Sequence, residues 1–111
     1  MVDWDRVNEL KTDVFGDDFA EMIEVFLEEV EGVLKRLKTS PTFSTFEEDF
    51  HFLKGCALNV GFSEFGRLCQ EAESLAAKGQ AMSVEIDQIC DAYSISVANL
   101  RERWDEIGLA A

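Results

Sequence analysis

Proline is nearly absent from this chain: Pro41 is the only one in 111 residues. The seven glycines fall mostly between apolar periodic stretches rather than inside them. So few breakers argue against many short strands and favour long helices. Cysteine is sparse too. Cys56, Cys69 and Cys90 make an odd number with no CxxC pair, and all three read as helix interior. A disulfide framework or a zinc site is not expected, and reduced core thiols are. No apolar run approaches a membrane span, and Asp3, Asp5 and Arg6 interrupt the start where a signal peptide would be apolar. A cytoplasmic protein is expected.

Positive charge is also scarce. Lys and Arg number 10 against 23 Asp and Glu, for a formal charge of −13. Such a chain repels phosphate backbones and anionic bilayers, so neither nucleic acid nor a membrane is an expected partner. The excess is uneven. Residues 51–70 hold Lys54 and Arg67 against Glu64 alone, between two strongly acidic flanks. This stretch can tolerate an added anion.

What is present is apolar and periodic. Hydrophobic residues make up 47% and aromatics 11%, enough for one modest core, and the chain reads as a single domain over 1–111. A short leading helix is expected over about 3–14, with Trp4, Val7, Leu10 and Val14 on one stripe before Gly16. Asp18 with Glu21 resembles a capping box. Behind it, Phe19, Met22, Ile23, Phe26, Leu27, Val30, Leu34 and Leu37 repeat at helical steps to about Lys38. Glu21, Glu24, Glu28 and Glu31 form its solvated face.

A loop follows around Pro41, and Ser44 with Glu47 is the next expected capping box. That helix should run to Val60 and end at Gly61 in a left-handed cap. Ser63 is the expected cap of a fourth segment striped by Phe65, Leu68, Cys69, Ala72, Leu75 and Ala76 and ended by Gly79. Ser83 is the expected cap of the last helix. Its seam of Ile86, Cys90, Tyr93, Val97, Leu100, Trp104 and Ile107 suits near-parallel packing. Short loops make neighbouring helices antiparallel. The expected fold is all-α: an antiparallel up-and-down four-helix bundle with a short extra N-terminal helix.

Chemistry concentrates at His51, the only histidine. Steps of about 100° per residue separate two faces of its helix. Phe46, Phe50, Leu53, Cys56, Ala57 and Val60 point one way, and Glu47, Glu48, His51, Lys54, Gly55 and Leu58 the other. An imidazole is a good nucleophile at neutral pH, because its unperturbed pKa is about 6.5. Lys54 at i+3 can reach a phosphoryl group carried there as a point charge. Gly55 is costly inside a helix, by roughly 1 kcal/mol relative to alanine. At i+4 it removes a side chain that would crowd the imidazole, so a partner's backbone or a phosphoryl group can come close.

The pattern His51-x-Leu53-Lys54-Gly55, then Asn59-Val60-Gly61, Cys69 and Glu73, resembles the histidine-containing phosphotransfer (HPt) domains. The motif spans about 23 residues and the helix layout matches over nearly the whole chain. The resemblance implies an antiparallel four-helix bundle whose exposed histidine takes a phosphoryl group on Nε2 from a receiver-domain aspartate and passes it to another receiver. It implies a carrier rather than an enzyme with a nucleotide site, and no GxxxxGK[ST] loop is present. Carried over, His51 is the phosphorylated nucleophile, Lys54 stabilises the phosphoryl group, Gly55 keeps the site open and Glu73 orients the imidazole through Nδ1–H.

Response-regulator receivers and a hybrid sensor histidine kinase are the implied partners, met through Glu48, Phe52, Leu58 and Arg67. No cofactor or metal is expected in this chain; the magnesium ion belongs to the receiver. A monomer is expected. Leu58 is bulkier than the family's usual small residue, and either narrows the approach to His51 or anchors a partner helix. Two other readings stay open: a receiver-docking module that is never phosphorylated, and the phosphorylatable domain of a chemotaxis-type kinase. The caps at each helix and the end at Leu109-Ala110-Ala111 favour a stand-alone domain over the latter.

Overall fold

The computed structural model describes residues 2–10, 18–40 and 42–103. Val14, Gly16, Pro41, Trp104, Ile107 and the Leu109-Ala110-Ala111 end, all used above, lie outside the described residues. The helices are α1 (Trp4–Glu9), α2 (Phe19–Thr39), α3 (Phe46–Val60), α4 (Ser63–Ala77) and α5 (Ile86–Glu102). Helix α2 packs on α3 and α5, and α4 packs on the same two, which closes a four-helix ring with α1 laid against α3. The protein is an all-α antiparallel bundle with a short leading helix.

The apolar stripes fill the interior. Phe19, Ile23, Leu27, Val30, Leu34 and Leu37 of α2 are buried, as are all six residues named on the apolar face of α3. Burying each such large side chain contributes roughly 1.5–3 kcal/mol before its lost freedom is counted. Edge-to-face ring contacts join Phe43 to Phe46 and Phe46 to Phe50. The buried Tyr93 hydroxyl of α5 donates to the Glu31 carboxylate of α2 at 2.8 Å. Burial first, then Glu31, pushes that phenol above its ordinary range.

Gly61 caps α3 with φ 77°, a left-handed conformation that glycine adopts without steric cost. Its carbonyl accepts from Asp3 N–H at 2.6 Å, and a Cβ there would stand 2.7 Å from Asp3 O. The leading segment is thus seated on the α3–α4 turn. Arg6 Nε adds a bond to the Asn59 carbonyl at 3.1 Å. One residue after the turn α4 begins, antiparallel to α3.

Four sequence expectations need correction. Asp18 sits at the cap of α2, but its side chain makes no capping hydrogen bond. Ser44 lies within a one-turn 3-10 helix (Phe43–Thr45), so Thr45 takes the cap position of α3. The Thr45 hydroxyl reaches Thr42 O at 3.0 Å and the Asp49 carboxylate at 2.9 Å. Ser63 is already helical, because Gly61 reverses the chain and leaves buried Phe62 at the cap. Ser83 belongs to a second 3-10 turn (Ala81–Ser83), and extended Val84 separates it from α5, which Glu85 precedes.

The seam of α5 also shifts. Ile89, Ala92, Tyr93, Ser96 and Leu100 are buried, whereas Ile86, Cys90 and Val97 are half-buried. Helix α5 lies against both α2 and α4, so its covered stripe is wider than one narrow seam. Cys56 and Cys69 are buried free thiols; Cys90 is free but only half-buried. Burial pushes the Cys69 thiol up to about 12, so it stays protonated and inert at neutral pH.

Candidate functional site

Helix α3 turns its buried face to the core and presents His51 outward, with the side chain 70% exposed. Facing it is α4, running the other way. Gly66 lets the two helices close: a Cβ there would stand only 3.3 Å from Ala57 Cβ. From that close approach the pairs march apart in register. Ala57 faces Gly66, Lys54 faces Gln70, and His51 faces Glu73. Each pair steps backward on α3 and forward on α4 by about one turn, as antiparallel helices require.

Glu73 is the centre of the cluster. Its Oε2 lies 2.8 Å from His51 Nδ1 and its Oε1 lies 2.7 Å from Lys54 Nζ. Oε1 is buried without a well-directed hydrogen bond, so the ammonium beside it is its compensation. Lys54 chiefly, and His51 after it, hold the Glu73 carboxyl below the usual carboxylate range. Because an ionised carboxylate only accepts, the Nδ1 that faces it is the donor. Among the described residues no hydrogen bond engages Nε2.

Lys54 Nζ also donates to Gln70 Oε1 at 3.0 Å. Gln70 Nε2 in turn donates to Ser74 Oγ at 3.3 Å. Sequence reasoning missed Gln70. Its one available signal was that it stands three residues before Glu73 on the same face of α4.

The remaining expected residues are placed differently. Gly55 is exposed, and a Cβ there would meet nothing within 4 Å. The imidazole is therefore not crowded by an alanine at this position; within the folded chain nothing requires glycine. Glu47 and Glu48 line an open hollow with His51 and Glu73, so the approach to the imidazole is acidic. Leu58 is 61% exposed and leans toward Gly66 on α4. Seven residues beyond His51, it sits about 10 Å along the helix axis and does not stand over the imidazole.

Phe52 is on another flank, beside a shallow groove lined by Glu28, Glu29, Gly32, Val33 and Arg36. Arg36 also grips Asp49 of α3 through two bonds of 3.2 and 2.7 Å, a tie the sequence reading did not find. Arg67 is exposed but engaged on its own helix, by Glu64 and by Glu71 at 2.6 Å. Among the described residues no group of three or more His, Cys, Asp and Glu is placed to hold a metal ion. None of their helices is long and apolar enough to cross a membrane.

The arrangement can do one chemical task readily. It presents an exposed imidazole held at Nδ1 by a carboxylate, with Nε2 left without a hydrogen bond among the described residues and an ammonium one turn away. A family model described as the Hpt domain matches residues 21–107. No curated protein and no solved structure matches the chain.

Proposed function

The chain belongs to the Hpt domain family, and on that premise we propose that His51 Nε2 accepts a phosphoryl group from a receiver-domain aspartate and passes it to a second receiver. Hpt domains are phosphotransfer carriers of two-component signalling, and receivers are their partners. The single observation that carries the assignment to His51 is its pairing: Nδ1 held by Glu73 at 2.8 Å, on a side chain 70% exposed.

The step is an in-line displacement. The Nε2 lone pair forms the new bond to phosphorus. The bond from phosphorus to the aspartyl oxygen breaks, and its electron pair stays on the carboxylate. The imidazole keeps its Nδ1 proton and gains positive charge, which Glu73 stabilises. Such a reaction needs mainly positioning and charge stabilisation. Lys54 is the nearby cation for the incoming oxygens. The acidic rim of Glu47 and Glu48 disfavours free anions, so the phosphoryl group comes best with a partner that neutralises it. In this reading the magnesium ion sits in the receiver and the chain itself holds none. A hybrid sensor kinase stands upstream, and the protein acts as a cytoplasmic monomer.

The test is incubation with a phosphorylated receiver domain. The wild type should gain an acid-labile, base-stable label. His51→Gln should keep its circular dichroism and thermal transition yet gain none. Label on His51→Gln would sink the assignment. No label on a well-folded wild type would leave a receiver-docking module that is not phosphorylated.

A further inference from the structure

Gln70 stands outside every role described so far, yet it is well fixed. A Lys ammonium only donates, so the amide oxygen of Gln70 must face Lys54, and the amide nitrogen is left for the Ser74 hydroxyl. Both bonds agree on one orientation of the amide. The Lys54 side chain is 22% exposed, so its ammonium is confined between Gln70 Oε1 at 3.0 Å and Glu73 Oε1 at 2.7 Å.

This confinement has a chemical consequence. Glu73 serves two hydrogen-bond donors at once, one oxygen for each. A phosphoryl group arriving at Nε2 competes for the ammonium. If Glu73 alone held Lys54, drawing the ammonium away would also pull on the carboxylate that orients the imidazole. Gln70 offers the same ammonium a second, neutral oxygen at 3.0 Å. It therefore shares the hold without adding a charge that would compete with the phosphoryl oxygens.

Resting on the reading of His51 as phosphoryl acceptor, we propose that Gln70 is a positioning residue for the transfer. It keeps the Lys54 ammonium one turn from His51, ready to pass to the phosphoryl oxygens while Glu73 stays on Nδ1.

Phosphoramidate, a small phosphoryl donor, tests this without any receiver. Nε2 forms its bond to phosphorus, the donor's phosphorus–nitrogen bond breaks, and the nitrogen leaves with that electron pair and a proton as ammonia. Initial rates of His51 labelling are compared for wild type, Gln70→Leu, Lys54→Met and the double variant. Gln70 is exposed, so leucine there is tolerated, and matching thermal transitions check this. Gln70→Leu should slow uptake about 5-fold, the size of one ordinary hydrogen bond. Lys54→Met should slow it more, and the double variant should match Lys54→Met. A purely structural role for Gln70 would slow the Lys54→Met background by the same factor again.

Wild-type rates in Gln70→Leu, or equal losses in both backgrounds, would overturn the proposal. A wild type that takes no label on His51 overturns the carrier reading itself, a result distinct from either of those.

Discussion

His51 and Glu73 are 22 residues apart in the chain, and the Nδ1 of one lies 2.8 Å from the carboxylate of the other. The contact spans two antiparallel helices. It depends on Gly66 letting α4 approach Ala57 on α3 two turns away. The nucleophile's tautomer is therefore set by helix packing as much as by the residues at the site.

Replacing Glu73 by Gln keeps an acceptor for Nδ1–H and removes the charge. Uptake of phosphoryl should fall roughly 10-fold, the loss of about 1.4 kcal/mol of charge-assisted stabilisation. The same variant tests the electrostatics of folding. The neighbouring Lys54 and His51 lower the Glu73 carboxyl in the folded chain. A lowered folded value means stability that is present above the unfolded value of about 4.3. That stability is lost as pH falls through the folded value. The gap in melting temperature between wild type and Glu73→Gln should be full near neutral pH and close in strong acid. A gap that persists unchanged there would show that the charge of Glu73 contributes nothing to stability.

Gly55→Ala separates folding from partner access. The added methyl meets nothing within 4 Å, and alanine favours the helix by roughly 0.5–1 kcal/mol. The isolated protein should melt later. Uptake from a phosphorylated receiver should slow, while uptake from phosphoramidate should not. Equal slowing with both donors would place the effect in the site rather than at the partner's surface.

Gly61→Ala should act on folding. A side chain is strained at φ 77° and would collide with Asp3 O at 2.7 Å. The cost should be roughly 1–3 kcal/mol, read from urea denaturation. The leading segment should loosen, visible as faster amide exchange at Asp3, whose N–H bonds the Gly61 carbonyl. Unchanged stability would mean that the turn relaxes at no cost.

Much of this was legible in the sequence because one helix sorts its own residues by angle. The six apolar positions of α3 are all buried, and His51, Gly55 and Leu58 are all exposed, as a 3.6-residue period requires. Gly61 was legible as a cap because a left-handed residue after a helix is most often glycine. Caps at Ser44, Ser63 and Ser83 were misplaced by one or two residues. Helix starts depend on how the preceding loop enters, and the 3-10 turns before α3 and α5 leave no strong periodic mark.

The sequence by itself determined the helical stripes, the single outward histidine and the acidic setting, since these follow from residue type and local period. The pairings across helices were decided only by the tertiary structure. Glu73 was named from a resemblance, and its reach to Nδ1 depends on register. Gln70 on Lys54 and Asp49 on Arg36 were invisible, because no local rule states which turn of one helix faces which turn of another. That choice belongs to packing: Gly66 against Ala57 sets how closely α3 and α4 lie, and the antiparallel register then brings an exposed histidine its carboxylate.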